Sequence, residues 1–164
     1  MNKAVYAGSF DPITVGHMWM IAECSMLCHP ADIVVAIGEN PDKTCTFSLE
    51  ERIRFIEETF EGYPNVCVKS FQNQFLVNFA ESIGASHIVR GIRDTRDYEF
   101  ERGMRHINND LNPNISTIFL MPPRDVAEVS SSLVKGMIGP EGWHEVVKKY
   151  VPEVVYEAIL EKYA

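Results

Sequence analysis

The stretch "GSFDPITVGH", residues 8–17, gathers two glycines, a serine, an aspartate, a threonine and a histidine where a first strand hands over to a first helix. A plain connector needs only a turn former and a cap. Hydroxyls beside an imidazole suit a site that holds an anion. Gly8 is expected to let the backbone turn tightly, and Gly16 to let a ligand come close to it. Thr14 stands where it can cap the next helix. His17 then falls in the first turn, near the positive end of the helix dipole, which welcomes a phosphate and favours neutral imidazole acting as a hydrogen-bond donor. The plainer alternative is a capped helix carrying an ordinary surface histidine.

Other candidate groups follow later strands. "GENPDKTCTF" carries Lys43, and "RGIRDTRDYEFE" carries Arg90 at a strand end with Arg93 just beyond. "MPPRDVAEVSSSLVK" carries Ser130, Ser131 and Ser132 at the start of a helix, where hydroxyls and free N–H groups can bind an anion. The Walker loop and the dinucleotide glycine pattern are absent from the sequence, and no Ser-His-Asp spacing stands out. Cys24, Cys28, Cys45 and Cys67 lack a second cluster at zinc spacing and read as structural thiols.

These groups need elements to position them. Strands are expected at 2–8, 31–40, 65–71, 86–91 and 115–122. Helices are expected at 16–28, 48–60, 73–84, 96–111, 130–137 and 141–149, with a last one restarting at Pro152. Ser48 with Glu51 makes a capping box, and Gly84 closes a helix. Alternating strands and helices predict an α/β fold: a Rossmann-like, doubly wound, five-stranded parallel sheet with helices on both faces and further C-terminal helices. The apolar strands suit a sheet covered on both faces. Residues 1–164 are read as a single domain. In such folds ligands bind beyond the carboxyl ends of the strands, where the strand order reverses. The candidate cations and hydroxyls all fall at that rim.

The 164 residues are 46% hydrophobic with a formal net charge of −8. That composition supports a packed core and argues against nucleic-acid binding, which calls for a basic face. A few focused cations can still hold a small anion. No apolar run is long enough to span a bilayer, and no signal-peptide core is visible, so a cytoplasmic location without membrane attachment is expected.

With these residues in place, "GSFDPITVGH" resembles the (T/H)xGH signature of the nucleotidyltransferase superfamily. "RGIRDTRDYEFE", "NPDK" and "VSSSLVK" together resemble the phosphopantetheine adenylyltransferase family, in the same order and over nearly the whole chain. The resemblance implies transfer of AMP from ATP to 4′-phosphopantetheine, giving dephospho-CoA and pyrophosphate, with Mg²⁺ as cofactor and a hexameric assembly. It assigns no metal ligand to a protein side chain.

The resemblance also implies residue roles. His17, Lys43 and Arg93 would be catalytic. Ser9, Lys43, Phe75, Leu76, Arg90, Met104 and Asn108 would bind phosphopantetheine. Ser9, Phe10, Gly16, His17, Gly91, Arg93, Glu101 and Ser130 to Ser132 would bind ATP, with Glu101 near the ribose and adenine. Val126 and Glu128 stand where many members carry an aromatic or hydroxyl residue, and Val15 replaces a frequent Asn.

The acceptor is already a phosphate anion, so cations and N–H donors suffice and no strong general base is needed. Direct in-line displacement is expected. Arg93, Arg96, Glu99 and Glu101 also have the spacing for salt bridges along one helix. The competing functions are a related cytidylyltransferase acting on another phosphorylated alcohol and a catalytically silent nucleotide-binding regulator.

Overall fold

Strands β1 (Ala4–Gly8), β2 (Ile33–Glu39), β3 (Val66–Gln72), β4 (His87–Gly91) and β5 (Ser116–Leu120) form one sheet in the order β3-β2-β1-β4-β5. Every adjacent pair is parallel. The structure is a computed structural model that describes residues 3–42 and 44–164. The chain starts in the middle of the sheet, winds outward to β3, then crosses back to β4. The strand order therefore reverses between β1 and β4, and a crevice opens at their carboxyl ends.

Helices connect the strands: α1 (Val15–Cys28), α2 (Leu49–Thr59), α3 (Leu76–Ser82) and α4 (Thr95–Leu111). After β5 come α5 (Arg124–Ala127), α6 (Ser131–Gly136), α7 (Trp143–Val147) and α8 (Glu153–Tyr163). Side chains alternate across the sheet, as strand geometry requires. Tyr6, Val35 and Val89 join a core built against α1, α2 and α8, while Val5, Val34 and Ile88 join a second core against α3. The doubly wound α/β class read from the sequence is the observed one.

Local chemistry sets the element ends. Ser48 accepts from the Glu51 N–H at 3.2 Å, and Glu51 returns a bond from the Ser48 N–H at 2.7 Å, closing the expected capping box. Gly84, at φ 67°, follows α3 in the left-handed conformation that glycine adopts readily. Helix α3 starts at Leu76 rather than residue 73, because Asn73 is left-handed at φ 55° and Phe75 is extended. Pro122 and Pro123 stop β5 early, and α5 is a short helix that the sequence reading did not anticipate. Strand β3 is an edge: Lys69, Ser70 and Gln72 are exposed, so cover on both faces holds for the inner strands only. Cys24 and Cys28 are buried, and none of the four cysteines forms a disulfide. No helix among the described residues is long and apolar enough to cross a membrane.

Candidate active site

The crevice between β1 and β4 holds a cleft of about 320 Å³. Ser9, Gly16, His17, Arg90, Gly91, Arg93, Glu101 and Ser130 to Ser132 all line it. Residues from four separate chain segments meet because each segment ends at the same rim of the sheet. A second cavity of about 220 Å³ adjoins it, lined by Phe75, Leu76, Arg90, Glu101, Met104 and Asn108 among others. Arg90 and Glu101 belong to both walls. The sequence-predicted residues thus fall into two groups that meet at one ion pair.

Thr14 occupies the N-cap of α1. Its backbone N–H donates to His17 Nδ1 at 3.1 Å, and its hydroxyl donates to the Val129 carbonyl at 3.0 Å. Because Nδ1 accepts, the ring proton sits on Nε2. The ring lies edge-on to Phe10 at 5.1 Å. Burial, and after it the Arg93 charge, depresses His17 from 6.5 to about 4. His17 is therefore a neutral donor at physiological pH, and the surface-histidine alternative fails.

The arginines are fixed differently. Arg90 donates from Nε and Nη2 to the two oxygens of Glu101, and from Nη1 to the Ala7 carbonyl at 3.1 Å. Arg93 donates from Nε to Asp97 at 2.7 Å, and Asp97 also accepts the Arg93 backbone N–H at 3.1 Å. The Asp97 hydrogen bond raises Arg93 further, and Arg93 in turn holds Asp97 below the usual carboxylate range. Arg96 pairs with Asp94, which also caps α4. The salt bridges expected among Arg93, Arg96, Glu99 and Glu101 are replaced by other pairings: Arg93 with Asp97, Arg96 with Asp94 and Glu101 with Arg90, two of which hold cleft arginines.

Ser130 caps α6 by accepting the Leu133 N–H at 3.1 Å, and Ser131 donates to the Pro12 carbonyl at 2.8 Å. Helix α6 is thereby tied to the first loop. Gly16 corrects the sequence reading. A Cβ there would lie 2.8 Å from the Val129 carbonyl and 2.9 Å from that of Val126, so the group that comes close is the chain's own backbone. Gly8 is also reinterpreted: the left-handed residue of the turn is Phe10, at φ 47°. Phe10 is 1% exposed, its ring lies in the core beside Tyr6, and it is not part of the cleft wall, so its ring does not make the nucleotide contact expected of it. Glu101 lies against Arg90, which places it at the junction of the two cavities rather than on the nucleotide side alone. Val126 lines the cleft and Glu128 is exposed. Lys43 lies outside the described residues.

Three positions escaped the sequence reading. Asp11 is 1% exposed, accepts the N–H groups of Thr46 and Phe47, and pairs with Lys135 at 2.8 Å. Burial alone would raise its carboxyl, but Lys135 and the two amides outweigh burial and hold it low. This one carboxylate joins the first loop, the segment after β2 and α6. Arg52 is buried and donates to the Ser9 carbonyl at 2.9 Å. Tyr6 lines the cleft floor, its hydroxyl pushed up mainly by burial. The signal for Asp11 and Arg52 was their sequence neighbourhood: a carboxylate inside "GSFDPITVGH" and an arginine in the first turn of a helix facing it.

Among the described residues no group of three His, Cys, Asp or Glu side chains could hold a metal ion. The cleft carboxylates Asp97 and Glu101 are both engaged by arginines. The described side chains therefore form no ready-made site for a resident metal.

A family model described as cytidylyltransferase-like matches residues 5–137. A phosphopantetheine adenylyltransferase from Chromobacterium violaceum is 56% identical over 164 residues, covering 100% of this chain and 99% of that one. One from Neisseria meningitidis serogroup C is 54% identical over 159 residues, covering 97% and 92%. Among solved structures, Plasmodium falciparum nicotinic acid mononucleotide adenylyltransferase complexed with NaAD shares the fold. Its TM-score is 0.73 at 16% identity, covering 98% of this chain and 95% of that one. By its length-spanning identity, its fold and the residues gathered at its sheet crevice, this chain belongs to the phosphopantetheine adenylyltransferase family of nucleotidyltransferase enzymes.

Proposed function

We propose that this chain transfers the adenylyl group of ATP to 4′-phosphopantetheine, releasing pyrophosphate and forming dephospho-CoA. The observation that carries this reading is the junction at Arg90. A cleft rich in anion-binding groups adjoins a cavity walled by Phe75, Leu76 and Met104, and one arginine faces both. A triphosphate suits the first cavity. A phosphate carried on a long, largely uncharged chain suits the second.

An oxygen of the acceptor phosphate attacks the α-phosphorus of ATP. The bond from that phosphorus to the bridging oxygen breaks, and pyrophosphate leaves with the electron pair. The attacking oxygen carries no proton that must be removed, so the protein's task is alignment and charge neutralisation. His17 donates Nε2–H to the equatorial oxygens, Arg93 and the α6 serines hold the leaving phosphates, and Arg90 holds the acceptor. Ser9, Gly91 and the α1 N-terminus add polar contacts around the reacting phosphorus. Lys43 completes the cationic set in this reading. Mg²⁺ arrives with the ATP phosphates as part of the substrate. The assembly is a hexamer and the location cytoplasmic, in line with the family.

Pyrophosphate release from purified protein tests the reading. It is expected with ATP, Mg²⁺ and 4′-phosphopantetheine together, and absent when pantetheine replaces its phosphorylated form. Preference for CTP over ATP, or equal release without the acceptor phosphate, would overturn it.

A further inference from the structure

Helix α6 is six residues long, too short to hold its own place by backbone bonds alone. Bonds to the first loop fix it at both ends. Ser131 donates to the Pro12 carbonyl at 2.8 Å at its start, and Lys135 donates to Asp11 at 2.8 Å in its last turn. The carboxylate that Lys135 meets is itself immobilised. Asp11 is 1% exposed, accepts the Phe47 N–H on Oδ1, and accepts the Thr46 N–H on the same oxygen that Lys135 reaches. Lys135 is not part of the cleft wall, whereas Ser130, Ser131 and Ser132 are. The first loop ends at Thr14, whose N–H orients His17. The spacing between His17 and the α6 serines therefore runs through the Asp11–Lys135 pair.

Resting on the function proposed above, we infer that Lys135 is a positioning residue for the leaving phosphates of ATP: through Asp11 it holds the α6 serines at a fixed reach from His17. A lysine is a point charge on a flexible stem and imposes little geometry by itself. Here the geometry comes from the acceptor. Two backbone amides of the segment after β2 lock Asp11, so a cation drawn to it is drawn to one place. The pair is also unlike a screened surface ion pair, because the Asp11 side chain is 1% exposed and that of Lys135 32%. Both bonds that tie α6 to the loop lie outside the triphosphate path or on its edge, so the helix is set before the nucleotide arrives. A nucleotide that lacks the leaving phosphates does not use the α6 serines and is indifferent to the pair.

Calorimetric titrations with ATP and with AMP test this without requiring turnover. Lys135→Met keeps a stem of similar length and removes the charge. It is expected to weaken ATP binding about tenfold, the scale of a lost hydrogen bond to a charged group, and to leave AMP binding within about twofold. Lys135→Arg still reaches the carboxylate and should restore ATP affinity to within about threefold of wild type. Asp11→Asn should give the same ATP-selective loss, and the double variant Asp11→Asn with Lys135→Met should lose nothing further. Equal losses for ATP and AMP would mark a merely structural role and overturn the inference, as would unchanged ATP affinity in Lys135→Met. Losses that multiply in the double variant would also overturn it, because Lys135 would then not act through Asp11. Should Lys135→Met fail to fold, Lys135→Gln removes the same charge and carries the same expectation. The functional reading fails separately: wild-type protein that binds ATP but releases no pyrophosphate with 4′-phosphopantetheine refutes that reading, whereas normal wild-type turnover without the ATP-selective loss refutes only the role of Lys135.

Discussion

The two cavities are built by different means. In the cleft, nearly every group that can meet a phosphate is bonded to the protein first: His17 to Thr14, Arg93 to Asp97, Ser131 to Pro12. The adjoining cavity shares the tied Arg90–Glu101 pair but is otherwise walled in good part by apolar side chains, Phe75, Leu76 and Met104, and Phe75 is 56% exposed. The difference follows from what each must do. A charged transition state is stabilised by donors that need no reorganisation, so the donors are fixed beforehand. An extended acceptor arm needs only an apolar surface, which binds without strict geometry. A rigid half and a pliable half meet at Arg90.

Substitutions can break this comparison. The largest effect belongs to His17. Replacing it with Ala removes a pre-oriented donor, and kcat should fall about 10²- to 10³-fold while the protein remains folded. A fall below threefold would mean the cleft is not preorganised around it. Next is Asp11→Ala, which strands Lys135 and two amides beside a buried gap. A loss of about 2–3 kcal/mol is expected in chemical denaturation, below the fully buried case because Lys135 is partly solvated. Gly16→Ala drives a methyl against two backbone carbonyls and should cost about 1–3 kcal/mol, with kcat falling as α1 shifts. The smallest effect is in the pliable cavity. Phe75→Ala should raise acceptor KM by less than about tenfold and leave ATP binding unchanged, since its ring is half exposed. A kcat loss there as large as that of His17→Ala would erase the distinction.

Acidity sharpens the same contrast. The unfolded chain binds a proton at His17 near 6.5 and the folded chain near 4. The contribution of neutral His17 to stability is therefore fully present above pH 6.5 and is lost as pH falls through about 4. Thermal melts should show wild type losing ground to His17→Asn across that window. A kcat inflection near 6.5 that disappears in the same variant would contradict the half-buried, neutral ring.

Much of this was legible in the sequence. Periodicity gives the strand–helix alternation, and the rim rule then places Ser9, His17, Arg90, Arg93 and the serines together from sequence alone. What stayed hidden were long-range backbone contacts. Gly16 looked like a ligand approach because its real neighbours, the Val126 and Val129 carbonyls, lie more than a hundred residues away. Asp11 drew no role because its partners, the Phe47 amide and Lys135, lie 36 and 124 residues away in sequence. Glu101 was assigned by resemblance to the nucleotide, and only the shared wall of two cavities reveals its bond to Arg90.

The central claim is that fixed donors align one phosphate against another with no covalent enzyme intermediate. The stereochemistry at the α-phosphorus tests it most directly. Turnover of ATP made chiral at that phosphorus by sulfur substitution, with 4′-phosphopantetheine as acceptor, should give a product of inverted configuration. Retention would require two successive displacements through an adenylylated side chain, and would contradict the account.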